Sequence, residues 1–315
     1  MKRKTVPVEK QLSRMKRKFY TVLVLLVVCA GSLGLFIYLN YDYIVFKHLI
    51  SRHFIYTDSL DRLFEREIKT DVGKNYSSYF DNLAISLVTR HLRDESGDRY
   101  TFQYTPEGFS LQNEETRNDA LLSEIKILDN ETVYLRLTNF SKYSRKLFYE
   151  WIDEINKYSY MILDLRNNYG GDINEMVRIS DAFLEKGKII AVDKMRMLDW
   201  TYRAKKDKLL DFEKIIILQN RNTASASENL IAALKENLGN VILMGEATFG
   251  KGIGQYTVPL KRGFALKATI LRWYTPNGLN IQGTGIAPDI AYDGNDIIKE
   301  ALSFLESVRK ASASP

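Results

Sequence analysis

Cysteine and histidine are scarce in this chain of 315 residues, and each scarcity excludes something. The one cysteine, Cys29, falls inside an apolar run, so no disulfide can staple the rest and packing must hold it together. Of the three histidines, His48 and His53 follow that run closely and His91 lies in the helical stretch after it. All are remote in sequence from the loops that carry the chemistry, which disfavours a Ser-His-Asp triad, and no G-x-S-x-G elbow occurs. Metal-ligand spacing is missing too. DGND at 293–296 is a turn without the downstream ligands of a calcium loop, and no metal or cofactor is expected. A basic groove for nucleic acid is equally unsupported, although the pI is about 9.1. Residues 1–18 hold eight Lys or Arg against Glu9 alone, a net of +7; the whole chain carries +6, so the remainder is near −1.

What is present begins with that cationic tail. It runs into FYTVLVLLVVCAGSLGLFIYLNY, residues 19–41, which carries no charge and is long enough to cross a bilayer as a helix. A cleaved signal peptide is the competing reading, with Ala30, Gly31 and Ser32 as its small residues. Apolar residues continue to Ile37, which favours an uncleaved single-pass anchor in the cell membrane. Positive charge stays on the cytoplasmic side, so residues 42–315 are expected outside. The expected plan is a basic cytoplasmic tail over 1–18, an anchor over 19–41, a helical region with linker over 42–130 and a core over 131–315.

Above the span, Leu60, Leu63 and Phe64, then Leu83, Ile85 and Leu87, recur at helical spacing. GDRYTFQYTPEGF at 97–109 has turn chemistry, and a polar passage follows. Strands and helices then alternate. TVYLRL (132–137), YMILDL (160–165), KIIAVDK (188–194), KIIILQN (214–220) and VILM (241–244) read as strands. The segments 145–157, 173–187 and about 225–238 read as helices. This scheme predicts an α/β domain with a largely parallel sheet, whose chemistry collects where strands end.

Three strand-end loops stand out: RNNYGGD, RNTASASE and GEATFGKG. The last has the spacing of a phosphate-binding loop, but Gly252 stands where a hydroxyl should bind magnesium. The sequence after it, with Pro259 and Gly263, reads as a strand pair rather than a helix. In TASASE, Ser225 and Glu228 have the spacing of a capping box. The same position suits a nucleophile, because the free N–H groups of a first helical turn stabilise negative charge. A serine needs a base, and with histidine remote a buried lysine can serve; Lys251 is the candidate, with Gln255 placed to hold its amine. Gly170 and Gly171 can turn backbone N–H groups inward and pair with the N–H of Ala226 around an oxyanion, or can serve only a tight turn.

Taken in order, LDLRNNYGG, TASASE, GEATFGKGIGQ and RWYTPNGLNIQGTGIAPDI resemble the tail-specific, or C-terminal processing, serine peptidases. The four motifs cover roughly 155 residues, and looser likeness extends from about residue 58 (LDRLFEREIK) to the C-terminus. The resemblance implies a core like that of the crotonase and Clp protease superfamily, a Ser225–Lys251 dyad assisted by Gln255, and an oxyanion hole from Gly170 or Gly171 with Ala226. It implies protein or peptide substrates cut outside the cytoplasm, with a catalytically inactive, peptide-holding ectodomain as the alternative. Two features depart from the family. The stretch between 109 and the first core strand is too short for the substrate-capturing PDZ domain, and Tyr169 stands where the family has proline.

Overall fold

The computed structural model describes residues 8–55 and 78–312. The expected helical positions Leu60, Leu63 and Phe64, and the start of the looser family likeness near residue 58, lie outside the described residues. Helix α1 (Val8–His53) runs unbroken through the apolar segment and 12 residues beyond position 41. Helix α2 (Ser78–Ser96) leads to β1 (Phe102–Tyr104), α3 (Pro106–Ala120), β2 (Glu124–Ile127), β3 (Thr132–Arg136), α4 (Lys142–Glu150) and the short α5 (Ile152–Ile155). Then come β4 (Tyr160–Asp164), α6 (Ile173–Ser180), β5 (Ile189–Met195), β6 (Asp199–Arg203), β7 (Lys214–Gln219) and α7 (Ala226–Asn237). The chain closes with β8 (Val241–Gly245), β9 (Ile253–Pro259), β10 (Ala265–Tyr274), β11 (Ile290–Ala291) and α8 (Ile297–Ser312).

These strands form two sheets. The first has the order β11-β8-β7-β4-β3-β2 and is parallel except at its β2–β3 edge. Strands β4 and β7 are buried at almost every position, as interior parallel strands must be when helices cover both faces. One face packs α4, α6 and α7 around Phe148, Met176 and Leu230; the other takes Ile297, Ala301 and Leu305 of α8.

The second sheet corrects the expectation of one largely parallel sheet. It is antiparallel, in the order β1-β10-β5-β6, with β9 also paired to β10. KIIAVDK therefore belongs to a hairpin of this sheet and not to the parallel scheme. From Ala191 to Lys194 its burial alternates and it carries Asp193 and Lys194, a pattern suited to a strand covered on one face. The stretch expected as turn and linker supplies α3 and an edge strand to each sheet. Helix α3 starts on a Thr105 side chain that accepts the Gly108 N–H, with Pro106 at its first position. A third apolar cluster ties Phe46, Leu49 and Ile50 of α1, and Phe54 just after it, to Ile85 and Leu92 of α2 and to Leu266, Ala268 and Ile270 of β10.

Candidate active site

Strands β4, β7 and β8 are neighbours in the parallel register, so the loops leaving their carboxyl ends meet on one edge. Ser225 lies at the junction between the β7 loop and α7, with φ 58° and ψ −117°. A non-glycine residue in that region costs about 1–3 kcal/mol and persists only where its surroundings over-determine it. Here they do. The Ala224 N–H donates to the Asn168 carbonyl (2.9 Å), and the Ser227 hydroxyl donates to the same oxygen (2.9 Å). The Thr223 hydroxyl donates to the Leu165 carbonyl (2.9 Å). Ser227 is fully buried in this structural bond, whereas Ser225 is half-buried at the first turn of α7.

Glu228, one turn into α7 and fully buried, connects this loop to the next. Its Oε2 accepts the N–H of Ser225 (2.7 Å) and the N–H of Lys251 (2.9 Å). Its Oε1 accepts the Gly250 N–H (2.7 Å) and the Thr248 hydroxyl (2.6 Å). Four donors around one carboxylate offset the cost of burying it. Because a single oxygen holds both N–H groups, the backbones of Ser225 and Lys251 are locked side by side.

The Lys251 loop is braced again from behind. Trp273 Nε1 donates to the Lys251 carbonyl (2.7 Å), the Gly252 N–H donates to Gln282 Oε1 (2.8 Å) and the Gly283 N–H donates to the Gly250 carbonyl (2.8 Å). The amine itself lies 4.7 Å from the centroid of the Tyr100 ring, and no hydrogen bond joins it to Ser225 Oγ or to Gln255. Gln255 donates instead to Thr269 Oγ1 (3.4 Å), its cross-strand partner on β10. Burial lowers the Lys251 pKa from 10.5 to about 8, with repulsion from Lys267 acting the same way and the carboxylates of Glu228 and Asp98 opposing it.

The glycine turn abuts the serine. A Cβ on Gly170 would sit 2.8 Å from the Ala224 carbonyl oxygen and 2.9 Å from both Ala226 N and Ser225 Cβ, so only glycine fits there. One on Gly171 would lie 2.2 Å from the Phe140 carbonyl oxygen. The Gly170 N–H donates to Asn168 Oδ1 (2.9 Å). The N–H groups of exposed Gly171 and of Ala226, at the start of α7, remain without hydrogen-bond partners among the described residues. The structure therefore brings Ser225, Lys251, Gly170, Gly171 and Ala226 to one place. Sequence reading overlooked Asn168, Asp98 and Tyr100, and saw in Glu228 only a cap. No metal-ligating cluster of three or more His, Cys, Asp or Glu occurs among the described residues.

Fold and site together define an α/β protein with a serine on a strained helix start beside a lysine of depressed pKa. The model of peptidase family S41 matches residues 131–292, just over half of the chain. The chain belongs to this family. It is 31% identical over 243 residues to the carboxy-terminal processing protease CtpA of Bacillus subtilis, covering 75% of this chain and 50% of that one. It is 36% identical over 173 residues to a carboxy-terminal-processing protease of Bartonella bacilliformis, covering 53% and 40% respectively. The chain thus spans half or less of the length of these curated relatives. Among solved structures, a lipoprotein from Streptococcus agalactiae superposes with a TM-score of 0.64 over 85% of this chain and 95% of that one; at 19% identity this is a likeness of fold alone.

Proposed function

We propose that the chain is a membrane-anchored serine endopeptidase that cuts exported proteins or peptides near their C-termini, outside the cytoplasm. In this reading Ser225 is the nucleophile and Lys251 the base, on a core of the crotonase and Clp protease type. The neutral amine takes the proton as Ser225 Oγ attacks the peptide carbonyl. The oxyanion is received by the N–H groups of Gly171 and Ala226. Lys251 then returns the proton to the departing amine, and water resolves the acyl-enzyme by the same path. Gln255 orients the amine when it swings towards the serine.

The observation that carries this reading is the Glu228 oxygen shared by the N–H groups of Ser225 and Lys251. Tyr169 and Phe249, on the glycine and lysine loops, are 67% and 53% exposed, which suits an apolar or small substrate residue before the cut bond. Names of relatives at half coverage support the activity class and leave the substrate open. The anchor rests on the uncovered apolar length of α1, and the topology on the basic tail before it.

An inactive peptide-holding ectodomain is the second reading, favoured by the amine sitting on Tyr100 rather than on Ser225. Turnover decides between the two. With the full chain in detergent micelles, Ser225→Ala should reduce cleavage of an unstructured peptide by at least about 1,000-fold. Its melting temperature should stay where it was. Absence of cleavage by the unmodified chain, or retained cleavage by the variant, would defeat the peptidase reading.

A further inference from the structure

The segment between α2 and β1 reaches into the site from a part of the chain that the family match does not include. Asp98 is 3% exposed and receives three donors within this part of the site: the Tyr100 N–H (3.0 Å), the Thr101 hydroxyl, and the Thr269 hydroxyl (3.1 Å). The Thr101 Oγ1 in turn accepts the Thr269 N–H (2.9 Å). The short turn is therefore pinned to β10, at the residue whose hydroxyl also accepts Gln255. This pinning fixes the backbone of Tyr100, whose ring lies under the Lys251 amine at 4.7 Å.

We propose that Tyr100 is a positioning residue for Lys251: its ring seats the amine in the protonated state and gives it up in the neutral state. The proposal rests on the peptidase reading for its consequence, but not for its geometry. An aromatic face attracts a cation through its quadrupole and has no comparable hold on a neutral amine. Once Lys251 loses its proton to solvent, the seat no longer retains it and the amine is free to reach Ser225 Oγ as a hydrogen-bond acceptor. Four groups face the amine from the elements around it: Lys267 on β10, Glu228 on α7, and Asp98 and Tyr100 on the turn. Lys267 repels the cation, while the two carboxylates and the ring favour it. The seat therefore works against the desolvation that makes Lys251 a base, and holds the resting enzyme away from the serine.

The test titrates the amine directly. Full-length protein in detergent is labelled with a trace acylating reagent across a pH series, and the Lys251 peptide is quantified by mass spectrometry, so the readout needs no turnover. Tyr100→Leu, which keeps apolar cover but removes the ring, should lower the Lys251 pKa by about half to one pH unit. Tyr100→Phe, which keeps the ring, should restore the unmodified titration. Where cleavage is measurable, the acid limb of kcat/KM should move down with the labelling curve. An unshifted titration in Tyr100→Leu, or an equal shift in Tyr100→Phe, would overturn the seat. Tyr100→Met provides a second ring-free variant should the leucine variant fail to fold. Peptide cleavage that is absent throughout would bear on the peptidase reading and leave this measurement standing.

Discussion

A lysine with a folded pKa of about 8 against its ordinary 10.5 carries a cost at neutral pH, because burial penalises its charge. The sign follows from proton counting. Between those two values the unfolded chain binds more protons than the native state, so stability rises with pH through that window and the penalty is complete below it. Lys251→Met should therefore stabilise the protein at pH near 7 by roughly 2–3 kcal/mol. That advantage should fade as pH is raised towards about 10.5, as melting curves at several pH values would show. In the unmodified protein kcat/KM should rise through an ionisation near pH 8, and a rate flat from about pH 6 to pH 9 would count against Lys251 as base. The candidacies of Ser225 and Lys251 were legible because each stands in a short motif with few alternative partners. The bridging role of Glu228 was not, since a capping spacing explains the same letters and only the fold brings residue 251 to it.

At the scale of the element, β5 shows what periodicity leaves open. Its apolar letters suit a parallel or an antiparallel strand, and the deciding feature was the hairpin to β6, which no strand-helix-strand scheme requires. Its buried Asp193 pairs with Trp273, the residue that clamps the Lys251 carbonyl, and one carboxylate oxygen has no hydrogen-bond partner. Burial raises the Asp193 pKa to about 6, with the Tyr202 hydrogen bond opposing. The native state then retains a proton that the unfolded chain has lost, so stability falls as pH rises from 3.8 to about 6 and stays reduced above it. Asp193→Asn is expected to gain about 1–2 kcal/mol at pH near 8 and almost nothing near pH 4. Equal effects at both pH values, by thermal melts, would contradict a buried charge on this strand.

For the whole molecule, the decisive feature is that α1 does not stop where its apolar segment stops. It continues through Phe46, Leu49 and Ile50, which with Phe54 just beyond it pack beneath β10, and Asp42 Oδ1 accepts the Lys261 N–H at the β9–β10 turn (2.8 Å). Its earlier apolar residues are uncovered, among them Leu25 at 58% and Val27 at 65% exposure. That much bare hydrocarbon on one helix calls for lipid in the proposed setting. The full chain should remain in the membrane pellet after alkaline extraction, with its body open to protease added from outside; release into the soluble fraction would remove the anchor from the proposal. Because the docked part of the helix also touches the sheet that carries Gln255 and Lys267, α1 and the candidate site share one packed unit.

By itself the sequence determined the apolar segment, the four central strands β3, β4, β7 and β8 of the parallel sheet and the three glycine- and serine-bearing loops at its edge, because each is written in local letters: an uncharged run, continuous β-branched stretches, residues demanded by tight backbone. Only the tertiary structure decided that a second, antiparallel sheet backs the site, that one carboxylate ties residues 225 and 251 together, and that a turn near residue 100 places a ring beneath the amine. The carboxylate and the ring join residue 251 to residues 225 and 100, 26 and 151 positions earlier. The energies of these contacts exist only once the chain has closed the loops between the residues, which no local pattern records.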